Sequence, residues 1–503
     1  MVPTAENRAP SCFGWALFNW NAYSRYAHRF LLAYCLSAAL SIAAAQTILL
    51  LLIASWVITV VCSGSFVDLN SRKLKVPLSI AAPMFSWFLI GAVTAVSGIE
   101  PLRSLLEVFR SSVFLLLPFA VLCSFFPQES GKLDLLGRLE SYIAAVLLGQ
   151  SIAAMHTVLC VLGNYQIPML LPGAVTESGQ LVLVIPLLLA STFYALSTDA
   201  LKNQLNVSLF GVRVSPQLYA GVFFMTLLVI AWPGTILLDD ASFGTVVFRL
   251  LALVGVLLLA IPPLRRGAPS IRDKIGRASK TLHVELFQLL WPAAALLFAA
   301  LLINLKRGPW LGVFVELLVL GYFLSKRLMF WSVAVTFFVL LTLSPARMRV
   351  ENFDEHFAIS GGRQEMWNLG FEIIQRYPLG VGIHNARFMR ELDPAIPHTH
   401  RHMHNNLLNV AVETGWIGLG VYLWWMFSLL RLAFSMWNNS RNGKDRISKQ
   451  VGVISLCLGV ALLGWQVAGL VEYNFGDGEI RLIALFYMGL LLTIQTVIMK
   501  ESQ

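Results

Sequence analysis

His398-Thr-His-Arg-His-Met-His404-Asn-Asn-Leu-Leu-Asn-Val-Ala-Val-Glu413-Thr-Gly415-Trp-Ile-Gly418-Leu419 ends the only long polar segment of an otherwise apolar chain. The segment, from Pro345, runs straight into an apolar helix. A membrane protein joined by short loops has little reason to keep one structured loop of this length unless something happens there. The rest of the chain reads as a scaffold that holds this loop, with a few basic residues from other loops, at one face of a bilayer. Composition agrees. Of 503 residues 57% are hydrophobic and 13% charged, about half the charged fraction of a soluble domain. The six cysteines are scattered with no paired spacing, so neither a disulfide framework nor a metal knuckle is expected. No cleavable signal peptide is expected, because the first long apolar run, near Phe30, is too long for one.

A span needs about 20 apolar residues. That rule places spans near 30–45, 46–62, 77–97, 104–126, 139–163, 179–198, 216–235, 244–264, 286–305, 309–325, 328–343, 406–430, 450–470 and 480–499. The first two form either a tight pair or one tilted helix, so the expected fold is an all-α, polytopic membrane protein of about 12–14 transmembrane helices. It reads as one membrane domain, 1–503, with a large outer loop at 344–405. Alternate connections carry the basic residues: Ser71–Lys75, Arg265–Lys280, Lys326-Arg327 and Arg431–Lys449. With the N-terminus inside, both termini are cytoplasmic and the 344–405 loop is outside. The net charge of +10 then reports orientation and contact with anionic headgroups, not nucleic acid.

That orientation makes the exceptions informative. Arg103, Arg110, Lys306, Arg307 and the seven arginines of the large loop are left on the outer face. Guanidinium groups there suit phosphate or pyrophosphate; the bland alternative is pairing with the loop's own carboxylates. Arg307, at the end of a span, has no acid nearby in sequence. From Gly361 to Pro378 the loop reads as an amphipathic helix, with Trp367, Phe371 and Ile374 at helical spacing and Arg363 one turn before Trp367. His398, His400, His402 and His404 alternate, but their spacing fits no structural zinc motif. His404, at the mouth of the next apolar helix, is the one placed to take a proton from a sugar hydroxyl; His398 and His402 read as solvated loop residues. His156, in mid-span, is either functional or a helix–helix hydrogen bond. Glu413 is either a partner for a neighbouring helix or a charge tuning His404.

At this point the residues resemble a family. His404-Asn405 followed by Gly415-Trp-Ile-Gly418 is similar to the histidine motif of the bacterial O-antigen ligase/polymerase family, integral-membrane glycosyltransferases that use undecaprenyl-diphosphate-linked glycans. Arg307-Gly-Pro-Trp310 resembles its Arg-Gly-x-Trp element, and Gly362-Arg363-x-x-x-Trp367 with Tyr377-Pro-Leu-Gly-Val-Gly382 resembles the start of its large outer loop. Glu472-Tyr-Asn-Phe-Gly-Asp477 also resembles a family element. The likeness covers roughly 300–480; Leu419 and the histidines before His404 depart from the pattern.

The resemblance implies a GT-C-like, metal-independent transfer without a cofactor. Arg307 and Arg363 would neutralise the diphosphate leaving group, and His404 would act as base. Lys306, Trp310, Trp367, Asn405 and Glu472, in or beside these elements, are expected to contact substrate, as are Arg103 and Arg110, which the charge argument leaves on the outer face. The implied partners are an undecaprenyl-diphosphate-linked glycan, a glycan or lipid A-core acceptor, and the lipids of a bacterial inner membrane, with the active site periplasmic. Ligase is the leading reading and polymerase the second, while the competing class is a transporter of lipid-linked sugar. A transporter should carry charge at the midplane; here charge gathers at the outer mouth.

Overall fold

Within a bilayer a chain must satisfy its backbone internally, so each apolar run is held to the helical state before any packing is considered. The computed structural model describes residues 20–62, 77–125, 132–163, 174–196, 207–209, 212–214, 290–352, 357–358, 360–397, 400–441, 443 and 445–501. Among them eight helices are long and apolar enough to cross a membrane, and two shorter apolar helices accompany them. In chain order the first elements are α1 (Trp20–Ser37), α2 (Ile42–Cys62), α3 (Leu78–Ser97), α4 (Pro101–Leu115), α5 (Leu117–Ser124), α6 (Lys132–Gly163) and α7 (Ala174–Leu196). There follow α8 (Leu290–Ile303), α9 (Arg307–Leu324), α10 (Lys326–Thr342), α11 (Ser344–Glu351), α12 (Arg363–Arg376), α13 (Met389–Leu392), α14 (Asn406–Arg441), α15 (Arg446–Ala468) and α16 (Gly478–Glu501). Among the described residues the one departure from all-α is a ribbon three residues a side, β1 (Val207–Leu209) antiparallel to β2 (Val212–Val214). The expected spans at 216–235 and 244–264 lie outside the described residues.

The expected first pair is corrected in register. The chain breaks at 38–41, and α1 begins ten residues before the expected span at 30. Its polar side chains explain the shift, since they bind another helix instead of lipid: Tyr23 and Ser24 donate to the carbonyls of Ala120 and Ser124, at 2.7 and 2.6 Å. The expected 104–126 span is one crossing stretch, Pro101–Ser124, jointed into α4 and α5 at Leu116 with Pro118 just after it.

α15 and α16 form the centre, with 78% and 89% of their apolar windows buried, against 33% for α2 and α3. α15 packs against α14, α7 and α9. Close approach is possible because small residues face each other, as membrane helices require in the absence of a hydrophobic drive between them. A Cβ added to Gly312 of α9 would lie 2.7 Å from the Gly464 carbonyl of α15.

The residues between α11 and α14 fold back onto the helix ends. α12 buries Met366, Leu369, Ile373 and Ile374 against Leu408, Ala411 and Val412 of α14. Of the three residues expected to form its apolar stripe, only Ile374 is fully buried; Trp367 is half-buried and Phe371 is 53% exposed. α14 itself is broken at Gly415, whose φ of 68° and ψ of −174° are not helical. The break frees carbonyls that the 378–382 turn then takes up: Val381 N–H donates to Val412 at 2.9 Å and Gly382 N–H to Glu413 at 3.0 Å. Trp416 N–H returns to the Pro378 carbonyl at 3.2 Å. The sequence elements 377–382 and 415–418 are therefore two sides of one backbone junction. The same turn reaches the α3–α4 hairpin, where Ile99 N–H donates to Val381 and the Ser104 hydroxyl to Ile383.

Gly415 accepts no side chain, since a Cβ there would lie 2.2 Å from the Pro378 carbonyl and its positive φ disfavours every L residue. Gly415→Ala should destabilise the protein by at least about 2 kcal/mol, read as a lowered melting temperature in detergent. Gly420→Ala, with open space around the added methyl, should leave the melting temperature unchanged or raise it.

Candidate active site

Three of the expected residues stand at helix starts, where unpaired N–H groups and the helix dipole favour negative charge. Arg307 is the first residue of α9, Arg363 the first of α12, and His404 lies two residues before α14. Glu472, in the 469–477 turn between α15 and α16, ties two of them together. Its Oε1 lies 2.9 Å from Arg363 Nη2 and its Oε2 3.3 Å from His404 Nδ1. The three side chains are 20–22% exposed, reachable by a ligand yet poorly screened by solvent. The start of α9 abuts the same turn: a Cβ on Gly308 would lie 2.9 Å from the Ala468 carbonyl and 3.1 Å from Glu472 Cγ. Lys306 adds its charge to the field at Glu472, and Arg307 Nη2 donates to the Asn352 carbonyl at 3.2 Å.

Burial would raise the Glu472 carboxyl, but the His404 hydrogen bond and the charges of Arg363, His404 and Lys306 outweigh it and hold the carboxyl below its usual range. An ionised carboxylate 3.3 Å away accepts the Nδ1–H of His404.

The turn that carries His404 is stitched from several directions. His404 has a φ of 48°, an uncommon conformation for a side-chain-bearing residue, and a net of polar side chains maintains it. Asn405 caps α14 through Oδ1, which accepts from Leu408 N–H at 3.0 Å, while its amide donates to the Leu470 carbonyl at 2.9 Å. Asn406 donates to Asn474 Oδ1 at 2.7 Å and accepts from Phe475 N–H at 3.0 Å. Trp367 Nε1 donates to the Met403 carbonyl at 2.9 Å. Trp367 and Asn405, expected to touch substrate, thus spend their polar groups positioning the histidine.

His402 was expected to be a solvated loop residue, and the structure corrects that. Its ring packs 4.3 Å from His404 and 5.2 Å from Tyr473, centroid to centroid, and its Nδ1 accepts the His404 N–H at 3.3 Å. Burial first, then the positive neighbours, push its imidazole down to about 4. His400 also stacks on His404, at 5.1 Å, and is lowered for the same reasons. His398 lies outside the described residues. Among the described residues no group of three or more His, Cys, Asp or Glu side chains is placed to hold a metal ion.

Other expected residues are elsewhere. Trp310 donates to the Leu301 carbonyl at 2.8 Å and pins the α8–α9 turn. Arg103 and Arg110 lie on α4, paired with Glu100 at 3.4 Å and Glu107 at 3.7 Å, and flank His384 instead of His404. His156 lies 3.6 Å from the Sγ of Cys160, one turn along its own helix. Glu413 serves the junction: Asn409, Tyr473 and the backbone N–H groups of His384 and Ala386 surround its carboxylate. Sequence reasoning gave no role to Asn406, Tyr473 or Asn474, although the last two lie in the Glu472–Asp477 element it quoted. Asn406 and Asn474 carried the one available signal, polar amides at the borders of apolar runs.

Residues 292–423 match the family model described as O-antigen ligase. That stretch contains Arg307, Arg363 and His404 but ends before Glu472. No curated protein matches the chain.

The His402 shift has a consequence for stability. Unfolded, the imidazole gains its proton near its ordinary 6.5; folded, it does so only at about 4. Between those values the unfolded state binds more protons, so stability falls as pH is lowered through that window. Lowering the pH from 7 to 4.5 should reduce the melting temperature, and His402→Phe should flatten that dependence. An unchanged slope in the variant would assign the acid sensitivity to other groups.

Proposed function

We propose, from the membership of the O-antigen ligase/polymerase family that residues 292–423 support, that this integral membrane protein transfers a glycan from undecaprenyl diphosphate to an acceptor hydroxyl. The observation that carries the reading is the Glu472 carboxylate held between Arg363 and His404. In such a transfer the anomeric C–O bond to the diphosphate breaks, a new C–O bond forms to the acceptor oxygen, and the acceptor loses its proton. Arg363, Arg307 and Lys306, with the starts of α9 and α12 behind them, supply positive charge where the diphosphate gains negative charge. His404 Nε2 takes the acceptor proton, because Glu472 keeps Nδ1 protonated and then steadies the imidazolium. The electrostatic work falls to guanidinium groups, and the transfer needs no metal.

The lipid A-core acceptor of a ligase is the leading assignment, and extension of a second lipid-linked chain by a polymerase is the alternative. The site end of the bundle faces the periplasm of a bacterial inner membrane, with the termini cytoplasmic. Supporting this, Lys326, Arg327, Arg441, Arg446 and Lys449 all lie at the opposite helix ends, as the sorting rule asks.

Purified protein given an undecaprenyl-diphosphate-linked glycan should release undecaprenyl diphosphate only when acceptor is added, with or without EDTA. His404→Ala and Arg307→Ala should each lower turnover at least about a hundred-fold without loss of folded protein. Turnover in either variant at the wild-type rate removes that residue from the chemistry, and inhibition by EDTA replaces the guanidinium mechanism with a metal one.

A further inference from the structure

A buried carboxyl group ties α6, α7 and the α8–α9 turn together. Glu177, in the first turn of α7, is only 3% exposed. Its Oε2 accepts two hydrogen bonds, from the Thr157 hydroxyl of α6 at 2.7 Å and from the Asn304 amide at 2.9 Å. Its Oε1 is buried and meets no hydrogen-bond partner among the described residues. Asn304 follows the last residue of α8 and stands three residues before Arg307. Membrane helices can be joined by neutral hydroxyls and amides, so a buried ionisable group at this place points to a further role.

The turn it holds is strained. Leu305, between Asn304 and Lys306, has a φ of 51°, a left-handed conformation that a leucine rarely adopts and that persists only where its surroundings enforce it. Two side chains enforce it here. Asn304 donates to Glu177, and Trp310 Nε1 donates to the Leu301 carbonyl at 2.8 Å. The direction in which Arg307 leaves the chain is set by the residues just before it, so the Glu177–Asn304 bond acts on the guanidinium without touching it. The neighbouring residue of α7 secures the other half of the site: Thr176 Oγ1 donates at 2.8 Å to Asp477, five residues beyond Glu472. Two consecutive residues of one helix thus hold both the turn that carries Lys306 and Arg307 and the turn that carries Glu472.

We propose that Glu177 is a positioning residue: it fixes the Lys306–Arg307 turn against the Glu472 turn, and so places the Arg307 guanidinium where the diphosphate is received. The inference rests on the role proposed above for Arg307. A misplacement of about 1 Å at a reacting centre can cost on the order of a hundred-fold in rate, and the Glu177–Asn304 bond stands at the base of a three-residue turn. What Glu177 supplies is position and not charge. Both donors meet the same oxygen, so a glutamine carbonyl in its place keeps both bonds.

The experiment pairs turnover of the full chain in detergent, on an undecaprenyl-diphosphate-linked glycan with acceptor, with hydrogen–deuterium exchange read by mass spectrometry. Glu177→Ala should lower kcat at least about ten-fold while KM for the acceptor stays within about two-fold. It should also speed exchange in segment 304–310 but not in 404–412. Glu177→Gln should keep both readouts at their wild-type values. Asn304→Ala, which removes the same bond from the other side, should reproduce the Glu177→Ala pattern and decides the matter if that variant does not fold. A loss of rate in Glu177→Gln equal to that in Glu177→Ala would replace position with charge and overturn the proposal. Unchanged exchange at 304–310, or unchanged kcat, in the alanine variants would overturn it as well. If the wild-type protein releases no undecaprenyl diphosphate, the glycosyl-transfer reading falls, while exchange at 304–310 still decides whether Glu177 sets the turn.

Discussion

A carboxylate shared between a guanidinium and an imidazole is the contact on which the arrangement turns. Glu472 reaches Arg363 across 109 residues and His404 across 68. It joins the turn before α16 to the starts of two helices that approach from different parts of the chain. At the mouth of a membrane bundle such a contact is strong, because solvent screens it little. Remove the carboxylate and two positive or ionisable groups face each other with nothing between them. The bridge also gives the Nδ1–H of His404 an acceptor.

The bridge works only if the His404 turn is held rigidly, and that rigidity traces to a broken helix. Ending helical geometry at Gly415 leaves carbonyls that lipid cannot satisfy. The 378–382 turn satisfies them, and by doing so is drawn onto α14 and against the α3–α4 hairpin. The large loop is thereby docked on the helix that carries His404, and Glu413 secures the junction from inside. Asparagines complete the frame: Asn405 and Asn406 tie the start of α14 to the 469–475 turn, so His404 and Glu472 are kept in register by several hydrogen bonds of ordinary strength.

Tyr473 follows Glu472 directly, and its place is informative. One side of it belongs to the histidine cluster and the other to the recess that Arg481 and His384 also line. One residue of the α15–α16 turn thus stands between the two spaces.

Much of this was legible in the amino-acid order because it is local. Membrane spans follow from apolar length, helix starts from Asn405 and the run after it, and the candidacy of Arg307, Arg363 and His404 from the charge-sorting argument and the motifs around them. Periodicity was less decisive where apolar residues surround a helix: between Met366 and Ile374 two stripes are possible, and only packing on Leu408, Ala411 and Val412 shows that Phe371 faces outward. The polar roll of α1 was hidden in the same way, since Tyr23 and Ser24 find partners about a hundred residues away. The sequence alone determined a membrane bundle of helices with one large polar loop. Tertiary structure alone decided that Glu472 joins Arg363 to His404, that His402 is packed and not solvated, and that Arg103 and Arg110 belong beside His384. The physical reason is that hydrophobic length and helix capping act within a few residues, whereas ion pairs and ring contacts depend on which helix ends the packed bundle brings together.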